Sequence, residues 1–549
     1  MLIGKKWIAR SISMTALLCL ALVLTGRAAH AQTFDVLIRN GRVIDGSGNP
    51  WFYADVGIRD GMIADIGSLA EADAARVIDA SGLIVSPGFI DLHTHTDLLG
   101  NPLAQSKVRQ GVTLDIMGES STVAPRDGLR DEAWETFTQY FRLLEDQGIS
   151  MNIISHVAEG QIRRVVKGYD PAPATPRELE RMVELLERSL KEGAWGMVTR
   201  FESGGPPYPD EVIRLAQTLH EYDTVYFSHI GSEGYEQQKE IDFALRVARE
   251  AEIPVHILHL KIRGQELWHE VPDYIRQIQA ARDAGLDVTA DQYPYTAMSH
   301  GWSANFPLWM REEGPERFAE MLNDPSLRER IRTDPEFIAW SKEHGWWEGI
   351  AMARARQPEN KQYEGMRLVE IAQLRGDDDP ADTIISLMAS EGGNISGVFH
   401  NQSEENVRLI MAQPWVSIAS DGSAIDLDAP GVPHPRNFGT NVRVLGHYVR
   451  EEGVLSLEDA VRKMTSLPAQ ILGLRDRGLI REGLAADVVV FDPGTVGDTN
   501  SFAQPKSYAA GVPWVLVNGV LVVDAGEHTG ATPGRVLYGA AYEGSHTVH

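Results

Sequence analysis

Between residues 88 and 476 the chain alternates short apolar runs with longer stretches of helical periodicity, and these runs lead into histidines and carboxylates. The first, Phe89-Ile90, leads into His93 and His95; the others cover 114–117, 152–155, 195–198, 225–228, 255–258, 287–290 and 415–419. Strand-like runs separated by helical stretches, such as 176–192 and 237–252, are the pattern of parallel β/α architecture. Eight strands is the number a closed (β/α)8 barrel requires. Alternate residues of a strand share a face, so His93 and His95 leave their strand together and can grip one divalent ion. An isolated pair of this kind carries little weight, because two ligands do not make a site. The weight comes from what ends the other runs: Glu119, His156, Arg200, His229, His259 with Lys261, Asp291 and Asp421. Singly, His229 would read as a core histidine, Asp421-Gly422 as a turn and Glu119 as a solvated loop acid. Together, at one end of a barrel, the four histidines His93, His95, His229 and His259 and the two carboxylates Glu119 and Asp421 suit a hydrolytic centre with one or two zinc-like ions.

The two ends of the chain share a different grammar. From residue 34 to about 87, short alternating runs are broken by Asn40-Gly41 and Asp60-Gly61, both hairpin signals, which predicts a small antiparallel β unit. The same pattern returns at 486–492 and 514–523, with Asn518-Gly519 as its turn. The expectation is a β-sandwich built from 32–87 and 477–549, with the 88–476 barrel inserted between them. An excursion at about 299–380, rich in Trp, Arg and Glu and without a clean strand, is placed over the barrel mouth. Its tryptophans suit packing more than an acyl pocket. A run at 395–399 is left without a place.

Residues 1–31 stand apart. Lys5, Lys6 and Arg10 precede an apolar segment at 14–24, and Ala29-His30-Ala31 has the small-x-small form of a cleavage site. The apolar core is shorter than the roughly 20 residues that span a bilayer, so this segment reads as an export signal and the protein as periplasmic or secreted. The only cysteine, Cys19, lies inside it, which removes disulfides, a cysteine nucleophile and thiolate ligands from the mature chain. The formal charge of −26 argues against nucleic acid and anionic membranes as partners, since both require a basic footprint. A small-molecule substrate is compatible with it.

Several motifs occur here in the order seen in a known superfamily: Pro87-Gly-Phe-Ile-Asp-Leu-His-Thr-His95, Gln110-Gly-Val-Thr113, Ser228-His-Ile230, His259-Leu-Lys261, Asp291-Gln-Tyr-Pro-Tyr-Thr-Ala297, Ser420-Asp-Gly422 and His434-Pro-Arg436. The chain resembles the amidohydrolase superfamily, and within it the N-acyl-D-amino acid deacylases (D-aminoacylases), from about residue 34 to the end. The resemblance implies that His93 and His95 hold one metal with Asp421, that His229 and His259 hold another, and that Lys261, Tyr293 and Arg436 surround a substrate carboxylate. A guanidinium, an ammonium and a phenol are what a free carboxylate would select.

The departure from the family lies at the bridging ligand. D-aminoacylases typically place a cysteine after Gly-Val-Thr, whereas this chain reads Gly118-Glu-Ser-Ser-Thr122. A carboxylate can bridge two hard ions and a serine hydroxyl is a poor substitute, so Glu119 is preferred over Ser120. A carboxylated lysine is the rival, although Lys107 and Lys191 do not end a strand. The swap bears on metal number and identity, with zinc the expected ion. The resemblance implies hydrolysis of N-acyl-D-amino acids by metal-activated water, with Asp421 as general base and then general acid. A dipeptidase, cyclic-amide hydrolase or lactonase with the same centre is the alternative, followed by a non-catalytic binding relic.

Overall fold

The computed structural model describes residues 34–119, 123–126, 133–200 and 208–544. The expected export signal at residues 1–31 and Ser120 lie outside the described residues. The fold is mixed α/β, and among the described residues no helix is long and apolar enough to cross a membrane.

The N-terminal segment forms β1 (Phe34–Val43), β2 (Phe52–Arg59), β3 (Met62–Gly67), β4 (Ala74–Asp79) and β5 (Ile84–Pro87). Asp60 and Gly61 take positive φ (53° and 75°) and close the β2–β3 hairpin, as Asp-Gly turns do. Asn40-Gly41 does not make the expected hairpin. β1 runs straight through it with a register shift between Ile38 and Gly41, and Asn40 sits at φ 61° as the left-handed residue of a bulge. The bulge splits β1 into two halves with different partners. Residues 34–39 pair in parallel with β4, and Arg42 and Val43 pair in parallel with β5, so the unit is mixed rather than antiparallel. Gly41 is required at this bend, because a Cβ there would lie 2.4 Å from Val85 Cγ2.

The C-terminal strands β18 (Val488–Phe491), β19 (Trp514–Val517), β20 (Val520–Asp524) and β21 (Glu527–His528) join the same sheet, because β18 pairs antiparallel with β5. Both chain ends thus form one nine-stranded sheet. One apolar cluster draws on both, with Ile38, Val56 and Val85 packed with Val488, Val490 and Leu516.

Between the two ends, β6 (Phe89–Asp91), β7 (Val112–Met117) and β8 (Asn152–Ser155) form one parallel sheet. A second parallel sheet has the order β17 (Val416–Ile418), β13 (Val288–Gln292), β12 (Val255–Leu258), β11 (Val225–His229), β10 (Gly196–Arg200), β9 (Val157–Ala158). β8 runs into β9 through His156 alone, and a parallel bridge joins Thr94 to Gly422. The helices between strands carry local signals. Pro176–Lys191 begins with a capping box made by Thr175 and Glu178, a cap contributing about 1 kcal/mol, and turns Met182, Leu186 and Leu190 inward.

The excursion does contain strands. β14 (Met298–Gly301), β15 (Ile350–Arg354) and β16 (Ser396–Phe399) form an antiparallel three-stranded sheet, which gives the unplaced run at 395–399 its position. β15 is buried over its first four residues, so it lacks the polar–apolar alternation that marks a half-exposed strand. Trp302, Trp340 and Trp347 are buried in a separate apolar core with Phe306 and Phe337.

Candidate metal centre

The strand ends converge as their registers dictate. β10, β11 and β12 align Arg200 with His229 and His229 with Leu258, one residue before His259. Gly118 turns the chain after β7 toward the same place. Its φ of 106° and the 2.1 Å from a notional Cβ to the His156 carbonyl oxygen leave room only for glycine before Glu119. On the other side, the Asp421 N–H donates to the His93 carbonyl (2.8 Å) and the His95 N–H to the Gly422 carbonyl (2.8 Å), so the loop after β17 is laced to the residues after β6.

Two groups of ligand atoms result, each with all its atoms within 4.8 Å of one another: His93, His229 and His259, and His93, His95 and Asp421. Glu119 lies among both. Its Oε2 is 2.5 Å from His93 Nε2 and 4.0 Å from His95 Nε2, and its Oε1 is 3.5 Å from His229 Nε2. His95 Nε2 reaches Asp421 Oδ1 at 3.0 Å. His229 and His259 face each other through Nε2 at 2.8 Å, and the Nδ1 atoms of His93, His229 and His259 are buried without a hydrogen-bond partner.

The electrostatics describe a site built for positive charge. Burial lowers His229 to about 3 and His259 well below the usual imidazole range, so both present neutral rings, the form that ligates metals. Burial also works against a charged His93, but Glu119, Asp421 and Asp291 outweigh it and raise the ring to about 9. A proton on His93 therefore balances carboxylates that a divalent cation would balance instead. Burial opposes ionisation of Glu119 and Asp421 as well. Neighbouring histidines, and for Asp421 chiefly Arg436, nonetheless hold both well below the normal carboxylate range. Imidazole and carboxylate donors of this kind fit zinc. Lys191 is remote, with Nζ 3.4 Å from Glu543 on the surface, and Lys107 lies beneath the centre, with Nζ 2.8 Å from Asp91.

The groups expected around a substrate carboxylate stand together, each already partnered. Arg436 Nη1 donates to Asp421 Oδ2 at 2.6 Å. Arg436 and Lys261 each lie 5.1 Å from the centre of the Tyr293 ring, and the Tyr293 hydroxyl accepts from Gln402 Nε2 at 3.0 Å. The His434-Pro-Arg436 motif orients the guanidinium. The Arg436 N–H donates to His434 Nδ1, which leaves His434 Nε2–H to donate to the Ala297 carbonyl. Lys261 lines a cleft of about 90 Å³ together with His95, His229, His259, Asp421 and Arg200, whereas Tyr293 and Arg436 are buried behind that wall. His156 packs under the centre, its ring 4.0 Å from that of Phe227.

The excursion reaches the cleft, and one acid of the cleft wall, Glu233, escaped sequence reasoning. Residues 298–300, 304 and 305 at the start of the excursion form part of its wall. Glu233 lines it too, with Oε1 2.7 Å from Lys261 Nζ. Its signal was an acid in the Gly231–Gly234 turn directly after the strand that bears His229. His259, Asp421 and Glu233 all take positive φ (37°, 48° and 51°), a conformation that costs a non-glycine residue about 1–3 kcal/mol and gathers at functional sites.

The sequence profile of the amidohydrolase family matches residues 76–323 and 350–523. The chain is 34% identical to D-aminoacylase of Alcaligenes xylosoxydans xylosoxydans, over 93% of this chain and 98% of that protein. It is also 34% identical to the N-acyl-D-glutamate deacylase of the same organism, over 92% and 97%. Among solved structures, N-acyl-D-glutamate deacylase from Bordetella bronchiseptica, complexed with zinc and a phosphonate mimic of the tetrahedral intermediate, superposes with a TM-score of 0.77 at 29% identity, covering 92% of this chain and all of that one. Because the match runs through the shared sheet and through every strand end that brings a histidine to the cleft, the chain belongs to the amidohydrolase family, in the branch that holds D-aminoacylase.

Proposed function

We propose that this protein is a zinc-dependent hydrolase of N-acyl-D-amino acids, releasing a carboxylic acid and a D-amino acid. The observation that carries the reading is the convergence of His93, His95, His229, His259, Glu119 and Asp421 on one cleft with Lys261 in its wall. The names of the relatives support the substrate class. We assign His93, His95 and Asp421 to one ion, His229 and His259 to a second, and Glu119 to both. Zinc bound there supplies a Lewis acid for the amide carbonyl and lowers the pKa of water.

The chain's own residues do the rest. Arg436 fixes Asp421 Oδ2 and keeps the carboxylate ionised, so Asp421 is ready to take a proton from the attacking water and return it to the leaving amine. Lys261, with Tyr293 and Arg436 behind it, receives the substrate carboxylate, and the walls of the small cleft exclude bulk water. With β8 and β9 counted as one strand interrupted at His156, the nine parallel segments are read as the eight strands of a closed (β/α)8 barrel, for which the Thr94–Gly422 bridge also speaks, and the nine-stranded sheet as a β-sandwich. Residues 1–31 are read as an export signal that places the enzyme in the periplasm or outside the cell.

The test is hydrolysis of paired N-acetyl-D- and N-acetyl-L-amino acids by the mature chain before and after chelation. The expected result is turnover of the D form only, lost on chelation and restored by zinc. Zinc-dependent activity on neither form rejects the substrate class and directs attention to dipeptides and lactones. Lys261→Ala is expected to raise KM for the N-acetyl-D-amino acid on the order of 10- to 100-fold, the worth of a hydrogen bond to a charged group. KM for the corresponding carboxamide should barely move, and equal effects on the two would remove Lys261 from the carboxylate site.

A further inference from the structure

Glu233 lines the cleft and has no part in the reaction as derived above. It is 4% exposed, and its backbone is pinned in the left-handed region from outside: the Glu233 carbonyl accepts the Arg263 N–H at 2.7 Å, and Arg263 in turn is 2.6 Å from Glu343 of the excursion. One carboxylate oxygen is occupied, since Oε1 lies 2.7 Å from Lys261 Nζ and 3.3 Å from His259 Nε2. The other, Oε2, is buried and has no hydrogen-bond partner. A buried carboxylate oxygen without a donor is costly, and its persistence points to a ligand that supplies one.

An ionised carboxylate can only accept hydrogen bonds. On an N-acyl amino acid with an apolar side chain, the acyl carbonyl and the carboxylate are acceptors too, and the only donor is the N–H of the bond to be cleaved. We propose that Glu233 Oε2 accepts this N–H, so that the site selects secondary amides over esters and lactones of the same shape. The inference rests on the amide-hydrolysis reading above. An ester offers an oxygen in place of the N–H and would set two lone-pair-bearing oxygens against each other, the kind of mismatch by which a site rejects an analogue that lacks a hydrogen-bonding group.

Glu233→Gln isolates the effect. Lys261 has three donors and no acceptor, so it takes the glutamine oxygen and leaves the NH2 group at the Oε2 position, turning an acceptor into a donor. We expect kcat/KM for an N-acetyl-D-amino acid to fall about 10- to 100-fold, while that for the matching O-acetyl-D-2-hydroxy acid holds or rises at equal zinc content, because the new donor relieves the clash with the ester oxygen. The two substrates share acyl group and carboxylate, so a variant that merely disturbed Lys261 or the fold would lower both alike. Equal losses, or no loss on the amide, overturn the proposal. Should the variant fail to fold, the wild-type protein decides: N-methylation of the substrate amide removes the same hydrogen bond, and a drop below about tenfold overturns the assignment. A wild type silent on the amide but active on the ester defeats the amide-hydrolase reading and this inference with it. An amide-active wild type whose amide-to-ester ratio is unchanged in Glu233→Gln defeats this inference alone.

Discussion

Asp421→Asn is expected to lower kcat on the order of 10³-fold, within the range general acid–base groups supply, while the protein stays folded and retains zinc. Asparagine keeps the shape of the side chain and an oxygen for Arg436, which here lies 2.6 Å from Asp421 Oδ2. It cannot take up a proton near neutral pH, so both the activation of water and the protonation of the leaving amine lose their carrier. The backbone contacts of residues 421 and 422 with His93 and His95 do not involve the side chain and survive the substitution. His93, His95, His229, His259 and Glu119 all remain, so elemental analysis should find metal still bound. Near-normal turnover with zinc present would remove Asp421 from the proton path.

Lys107→Met is expected to destabilise the protein by about 3–5 kcal/mol, the usual result of removing one partner from a buried ionic cluster. Lys107 is fully buried; its Nζ donates to Asp91 Oδ2 (2.8 Å) and to Ser420 Oγ (2.6 Å) and lies 3.8 Å from Asp115 Oδ2. Asp91 Oδ1 in turn accepts the Ser420 N–H at 2.9 Å, so this cluster ties the strand before His93 to the loop of Asp421. Methionine fills the volume but leaves two buried carboxylates without their cation. The pH dependence has a definite sign. Burial, opposed by Lys107, already raises Asp115 to about 7. A carboxyl raised above its unfolded value stabilises the native state at low pH and gives up that contribution as pH rises through its folded pKa. Denaturation midpoints of the variant should therefore fall progressively further below wild type as pH rises above about 7, because removing the cation raises Asp115 further and extends its loss of stability to higher pH. A variant as stable as wild type at pH 8 would refute the role given to Lys107.

Much of this was legible in the chain because it is local. The alternation of His93 and His95, the positions of Glu119, His229, His259 and Asp421 after apolar runs, and the capping box at Thr175 depend on residues a few positions apart. The family motifs added Lys261, Tyr293 and Arg436. What could not be read was the partnership among them. Nothing near Arg436 announces that one arm of its guanidinium goes to Asp421, and nothing near Lys261 announces Glu233 as its counter-ion. The same limit explains β15, which is buried over most of its length and so shows no alternation, and the Asn40-Gly41 signal, which is equally consistent with a hairpin and with a bulge.

The sequence by itself determined which side chains end the strands, and hence the chemistry available, because strand periodicity and turn preferences act over a few residues. The tertiary structure alone decided how those side chains divide the charge among them, and that β1 bends at Asn40 to pair with β4 and then β5. It also decided that Lys107 joins residues separated by more than three hundred positions, such as Asp91 and Ser420. Those outcomes depend on desolvation and on contacts between distant segments, and burial sets the strength of each charge only once the chain has closed around it.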